Sequence, residues 1–348
     1  MTTPAIRSLV EAVPLPTLLI AQGVRIVGAN FRAETLLGQT MLGRHLTTVI
    51  RQPSVLSAIE ACQADRSPKM ARYISTEDRN EQTFQVHCSY LDLAPAAEGV
   101  MVSFEDVTDV EAVGQMRRDF VANVSHELRT PLTALTGFIE TLQGPAANDK
   151  NAQVRFLDIM LKEAERMNRL VGDLLSLSHV EAEERIRPSQ SVDVVTLCDS
   201  TLRSLHPVAE RSNVTVSQNM PSDEVLVPGD EDQLRQVLTN LTENAIKYGG
   251  KDQTVTLHVS KIERDLSMRG PAVRIAVVDT GPGIDPVHVP RLTERFYRID
   301  SHRSREMGGT GLGLAIVKHI VNRHRGRLKI ESQLGRGTVF TVILPALD

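Results

Sequence analysis

Two groups of residues in this sequence have the types and spacing to do chemistry. The first is His126, with Glu127 beside it and Thr130 one helical turn further on. A neutral imidazole is a usable nucleophile near neutral pH. A neighbouring carboxylate can accept the second ring proton and raise that nucleophilicity. The flanking apolar residues Val121, Val124, Leu128, Leu132, Leu135, Ile139 and Leu142 step by threes and fours, which is a helical stripe within a sector of about 80°. His126 falls about 160° from the centre of that sector, so the ring is expected in solvent. Thr130 lies within about 40° of it on the same outer face. Pro131 removes one helix hydrogen bond there and is expected to bend the helix.

The second group is spread over the last third of the chain. Asn240 and Asn244 are four apart and share a helix face, with Lys247 a further three along. Amide oxygens are hard ligands suited to Mg²⁺, which keeps waters and shares substrate phosphates, and a lysine there can meet a phosphate. Asp279 ends an apolar strand and precedes Gly281, Gly283 and Ile284. Such a carboxylate can accept from an adenine amino group, and the glycines let backbone approach the base. The run Gly308, Gly309, Thr310, Gly311, Leu312, Gly313, Leu314 stands ahead of an apolar helix. Its backbone N–H groups and the helix dipole can hold phosphate oxygens. No Gly-x-x-x-x-Gly-Lys-[Ser/Thr] occurs, which excludes a P-loop, and the glycine run lacks the Gly-x-Gly-x-x-Gly spacing of a dinucleotide site.

Three zones must position these groups. Residues 6–105 read as mixed α/β: a hairpin around Gln22-Gly23, a helix from Phe31 to Leu37 capped by Asn30, a helical stretch from Ser54 to Cys62, and strands at 83–91 and 100–104. A linker at 106–118 leads into a helical hairpin at 119–184, broken at Gly144-Pro145. Its second stripe is Phe156, Met160, Ala164, Met167, Val171 and Leu174. One hairpin leaves too much apolar surface uncovered, so pairing two into a four-helix bundle predicts a homodimer. Residues 189–348 read as an α/β sandwich, with Pro188, Pro207, Pro221 and Pro228 punctuating its start, a helix over 231–248, a strand over 273–278, a helix over 312–323 and a closing hairpin at 327–331 and 338–344. The basic run Arg323 to Arg327 reads as a helix C-terminus complementing its dipole.

Bulk properties narrow the function classes. A net charge of -4 with interleaved signs gives no nucleic-acid footprint. Cys62, Cys88 and Cys198 have no paired spacing for metal or redox work and read as reduced thiols. The apolar stretch from Leu15 to Ala21 is far short of the ~20 residues that cross a bilayer, so no membrane span and a cytoplasmic location are expected.

The order of the motifs carries a resemblance. The segment Phe120-Val-Ala-Asn-Val-Ser-His-Glu-Leu-Arg-Thr-Pro-Leu-Thr133 resembles the phosphoacceptor box of two-component sensor histidine kinases. Asn240 to Tyr248, Asp279 to Ile284, Glu294 to Asp300, Gly308 to Leu314 and Gly335 to Phe340, the last containing Thr338, resemble the N, G1, F, G2 and G3 boxes of that family's ATPase domain. This Bergerat fold is shared with chaperone, mismatch-repair and type II topoisomerase ATPases. The resemblance implies a multidomain α+β protein with ATP and Mg²⁺ as substrate and cofactor and a response-regulator receiver domain as partner. It implies that Asn240 and Asn244 ligate Mg²⁺, Asp279 reads adenine, Lys247 and Arg298 face the phosphates, Tyr248 lines the site and residues 301–309 form a mobile lid. It also implies that Glu127 is the base and that Thr130 positions water to dephosphorylate the partner. A non-kinase ATPase of the same fold has no reason to carry the phosphoacceptor helix, and an inactive scaffold would not need the intact boxes. Residues 6–105 resemble a PAS domain, with Phe104 to Asp109 as its exit. Gly43 to Pro53, Phe296 to Asp300 and Lys318 to His324 are similar to phosphate-regulon sensor kinases, many of which carry membrane helices, where none is expected in this sequence.

Overall fold

The computed structural model describes residues 4–21, 23–38, 41–76, 81–93, 97–183, 186–250, 252–266, 268–300 and 309–347. The chain divides into two compact units, Met1–Ala122 and Asn123–Asp348.

In the first unit a five-stranded antiparallel sheet has the order β2-β1-β5-β4-β3, built from β1 (Thr17–Ala21), β2 (Arg25–Ala29), β3 (Lys69–Ser75), β4 (Gln82–Leu93) and β5 (Ala97–Asp106). Alternation places Leu18, Ile20, Val86, Val100, Val102 and Phe104 in one core with residues of α2 (Phe31–Leu37) and α3 (Pro53–Asp65). On the opposite face Leu19 meets Val10 of α1 (Pro4–Ala12). Asn30 is fully buried. Its Oδ1 accepts from the Ala33 N–H at 2.9 Å, capping α2, and from the Thr17 N–H at 3.0 Å, while Nδ2 donates to the Leu15 carbonyl at 2.7 Å. One amide thus closes a helix end and fixes a strand start. The strand β3 went unread in the sequence because its exposed Met70 and half-buried Tyr73 blur the alternation.

Helix α4 (Thr108–Gln143) runs through Pro131 and is fastened at its start, where Thr108 Oγ1 accepts from the Thr83 N–H at 2.9 Å. The division between the units falls within this helix. In the second unit α4 turns back as α5 (Lys150–Ala182), which Asp149 caps through the N–H groups of Asn151 and Ala152. Phe138 and Phe156 stack at 5.3 Å across the hairpin. Phe156, Met160, Ala164, Met167 and Leu174 are half-buried, whereas Val154, Leu157, Leu161, Val171 and Leu175 form an exposed apolar stripe beside them.

The remainder is a two-layer sandwich. Its sheet has the order β11-β12-β10-β9-β7, from β7 (Val214–Asn219), β9 (Gln253–Asp265), β10 (Gly270–Asp279), β11 (Arg327–Gln333) and β12 (Gly337–Pro345). Among the described residues only β7 and β9 pair in parallel, and a short ribbon of β6 (Gln190–Asp193) and β8 (Leu226–Gly229) stands apart. The helices α6 (Val194–Ser212), α7 (Glu231–Gly249) and α8 (Gly313–Arg323) form the second layer. The expectation that Pro207 punctuates a loop is corrected: it lies inside α6. Leu197, Cys198, Thr201, Leu202, Leu205 and Ala209 are buried at helical spacing, and that packing outweighs one lost backbone bond.

The basic run Arg323 to Arg327 stands at the C-terminus of α8 as the sequence leads one to expect, with Arg323 in its last turn and His324 as its cap. Arg323 and His324 are buried. Arg323 pairs with Glu183 at 2.7 Å and donates to the Ile186 carbonyl at 3.0 Å. His324 Nδ1 donates to the Ile320 carbonyl at 2.7 Å and Nε2 accepts from the Asp230 N–H at 3.0 Å. The ring is therefore neutral, and burial, opposed by the Ile320 bond, lowers its pKa below 6.5. Its contribution is complete above the unfolded value and is lost as pH falls through the folded one. At pH 7.5 His324→Leu, which removes the acceptor, is expected to cost about 1–3 kcal/mol. By thermal denaturation the gap to wild type is expected to narrow at pH 5.5.

Candidate functional site

Asp279 ends the buried strand β10, and its carboxylate is sunk between two loops. Oδ1 accepts from the Gly281 N–H at 2.9 Å and from the Thr338 N–H at 3.2 Å. Burial still raises its pKa above the usual carboxylate range, against those two bonds. A cavity of about 230 Å³ opens beside it, lined by Asn244, Tyr248, Asp279, Gly283, Ile284 and Thr338 among others. The loop that forms its rim depends on glycine: Gly283 has φ 71°, and a Cβ there would sit 2.1 Å from the Gln333 carbonyl oxygen. Ile284 is held by its N–H to Ser332 Oγ at 2.7 Å.

A second cavity of about 370 Å³ shares Asn244, Leu292, Tyr297 and Leu314 with the first. Asn240, Lys247, Gly309, Thr310, Gly311 and Gly313 line it. Asn240 Nδ2 donates to the Gly313 carbonyl at 3.3 Å, which spends a donor and leaves the amide oxygen for a cation. Leu312 is fully buried and anchors the start of α8. Gly311 has φ 76°, and a Cβ there would lie 2.9 Å from Phe296 Cα. Lys247 is paired with Glu243 of the same helix. The expected lid at 301–309 falls outside the described residues except for Gly309.

Helix α5 supplies a third wall that the sequence did not reveal. Arg169, Gly172 and Asp173 line the second cavity. Asp173 accepts from Thr310 Oγ1 at 2.6 Å, and burial raises its pKa despite that bond. Further along, Ser176 meets Gln236 at 2.9 Å, and Glu181 pairs with Arg295 and with His319 at 3.4 Å. No local pattern marks these residues, because each acts across more than fifty positions of chain.

On α4, His126 and Thr130 are exposed as expected. The Thr130 hydroxyl donates to the His126 carbonyl at 3.1 Å. Glu127 differs from the expectation that its carboxylate serves the His126 ring. It pairs with Arg166 at 2.7 Å and with Arg298 at 3.2 Å. Successive helix residues point about 100° apart, and the two guanidiniums lie on the inner side. Arg298 likewise spends two N–H groups on that carboxylate instead of facing only the cavity that it lines.

Two family models match the chain: His Kinase A (phospho-acceptor) domain over residues 116–183, and Histidine kinase-, DNA gyrase B-, and HSP90-like ATPase over residues 229–348. The phosphate regulon sensor protein PhoR of Pseudomonas aeruginosa is 39% identical over 287 residues, covering 79% of this chain and 62% of that protein. The sensor histidine kinase WalK of Bacillus subtilis is 38% identical over 248 residues, covering 71% of this chain and 40% of that protein. The chain thus spans less than two thirds of either relative's length. The crystal structure of histidine kinase ThkA in complex with response regulator protein TrrA aligns with TM-score 0.53 at 22% identity, covering 98% of each chain. The histidine kinase AdeS of Acinetobacter baumannii aligns with TM-score 0.50 at 24% identity, covering 64% of this chain and 98% of that one. These two likenesses speak for the fold.

The buried Asp279 carboxylate predicts a split between binding and stability. Because its folded pKa is raised, the charged form is disfavoured at neutral pH. Asp279→Asn keeps the Oδ1 acceptor for both N–H groups and drops the charge. Its thermal midpoint without nucleotide is expected to equal or exceed that of wild type, while calorimetry shows ATP affinity falling roughly 10- to 100-fold.

Proposed function

Since the chain belongs to the sensor histidine kinases of two-component systems, we propose that it phosphorylates its own His126 from ATP and hands the phosphoryl group to an aspartate of a response-regulator receiver domain. The observation that carries this reading is the joint placement of His126 on an open helix face and of the Asn240 and Asn244 cavity, which shares lining residues with that of Asp279, against α5 of the same hairpin. One His126 ring nitrogen attacks the γ-phosphorus, an N–P bond forms, and the bond to the β,γ-bridging oxygen breaks to release ADP. The proton on the other ring nitrogen needs an acceptor, and Glu127 is the nearest carboxylate in sequence.

The residues support assigned roles for the nucleotide. The Asp279 oxygen that takes no hydrogen bond from the described residues faces the adenine amino group, with Tyr248, Gly281, Gly283, Ile284 and Thr338 around the base. Asn240 and Asn244 would hold Mg²⁺ through their amide oxygens, and the ion would neutralise phosphate charge when bound. Gly309, Thr310, Gly311, Leu312, Gly313 and Leu314 offer backbone N–H groups at the start of α8 to the phosphates, beside Lys247.

The exposed stripe of Val154, Leu157, Leu161, Val171 and Leu175 supports a homodimer in which a second hairpin covers it. The five-stranded sheet of the first unit, with α2 and α3 packed on one face, supports a PAS sensor domain over 6–105. The likeness to PhoR favours a signal within phosphate regulation. No helix among the described residues is long and apolar enough to cross a membrane, which favours action in the cytoplasm.

Incubation with Mg²⁺ and γ-labelled ATP is expected to leave label that survives alkali but not acid on wild type and none on His126→Ala. Equal label on both would name the wrong nucleophile. Thr130→Ala is expected to keep autophosphorylation within about twofold and to slow dephosphorylation of the receiver by roughly 10- to 100-fold. Equal loss of both activities would remove Thr130 from the water-positioning role.

A further inference from the structure

Arg298 and Glu127 each have a role in the proposed reaction, yet in the structure each occupies the other. The Arg298 side chain is 7% exposed, with Nη1 3.4 Å from Glu127 Oε1 and Nη2 3.2 Å from Oε2. Glu127 is simultaneously held by Arg166 Nη2 at 2.7 Å. A carboxylate shared between two guanidiniums is a poor proton acceptor, because its lone pairs and its charge are already engaged.

The arginine is not satisfied by this arrangement. Its Nε is buried and makes no hydrogen bond among the described residues. A Cβ built on Gly311 would fall 3.2 Å from that Nε, so the unpartnered donor borders the glycine loop. Gly311 and Thr310 line the cavity with Asn240, Asn244 and Lys247, and Thr310 also borders a small pocket with Glu127, Pro131 and Arg166. The guanidinium therefore stands between the glycine loop and the carboxylate, with an open donor on the loop side. A dianionic terminal phosphate there offers more charge and more acceptor oxygens than one carboxylate, and it can engage Nε as well.

We propose that Arg298 is exchanged between Glu127 and the terminal phosphate of bound ATP, so that the nucleotide itself unmasks the base. With the site empty or holding ADP, Arg298 stays on Glu127. When a γ-phosphate draws Arg298 away, Glu127 keeps only its bond to Arg166 and is free to turn toward the adjacent His126 ring. The exchange makes the base available only when there is a phosphoryl group to transfer. The proposal rests on the kinase reading above and adds to it a regulation of the same site.

The test is calorimetric binding of ATP and of ADP, each with Mg²⁺, to full-length His126→Ala protein, which cannot turn over. Glu127→Gln is introduced into that background. If Glu127 competes with the γ-phosphate for Arg298, the substitution tightens ATP by about three- to tenfold and leaves ADP within about twofold. In a third protein carrying Arg298→Lys, which keeps a charge but loses the fork, ATP weakens more than ADP and Glu127→Gln no longer tightens ATP. Equal effects of Glu127→Gln on the two nucleotides, or none on either, would overturn the exchange. Measurable ADP binding together with an unchanged circular dichroism spectrum serves as the check that each variant is folded. Parent protein that binds neither nucleotide would overturn the kinase reading together with the exchange, a result distinct from ATP binding that ignores Glu127.

Discussion

The position of the nucleotide cavities relative to His126 depends on one helix. Along α5 and the start of the following linker, Arg166, Asp173, Ser176, Glu181 and Glu183 meet, directly or through Glu127, residues of the α/β sandwich. Exposed ion pairs are worth little, a median of about 0–1 kcal/mol. Buried pairs repay a desolvation cost only when their geometry is good. Such a row is therefore a weak source of stability and a good source of register. It tells the sandwich where along α5 to sit, and because each contact is individually weak the row can be left and re-formed.

Inside the sandwich a different constraint operates. Asp279 lies where burial disfavours the charged form of its carboxyl, and the loops around it close only with glycine. Gly337 makes the point with its Cβ position 1.9 Å from the Asp279 carbonyl oxygen. Sites of this kind store unfavourable terms that a ligand relieves. Asp173 carries the same signature across the second cavity. One buried and one half-buried carboxylate whose charged forms are disfavoured, lining cavities that share residues, suit a site that takes a cation and a hydrogen-bond donor. The neutral His324 in the same sandwich has the opposite duty: it accepts one backbone N–H and donates to one carbonyl, and it serves architecture.

Much of this arrangement was legible in the sequence because it is encoded locally. The three- and four-residue steps of the hairpin, the Asn30 cap, and the glycine loops of the nucleotide region are short-range patterns, and the structure has elements at each of them. Reading failed where tertiary packing decides. Pro207 was taken as a break because propensity says so, yet the buried face of α6 holds the helix through it. Arg323 and His324 read correctly as a helix end, but nothing nearby shows that they are buried or that Glu183 and Asp230 are there to receive them. Asp173 and Arg169 lack any motif and become visible only once α5 lies against the glycine loop.

The same distinction explains the one place where local reading assigned two roles that the structure sets against each other. Glu127 was read from its neighbour His126, and Arg298 from its neighbours Phe296 and Tyr297; neither reading could know of the other across 171 residues. The contact between them exists only because α5 holds the sandwich in register with α4. A contact made by docking is also broken by undocking, so helix motion that shifts the sandwich along α5 acts first on this pair. A change of register by part of a helical turn, about 5.4 Å for a full turn, is enough to move Glu127 away from Arg298. The bond between two charged groups thereby ties the register of the hairpin to the surroundings of the carboxylate beside His126.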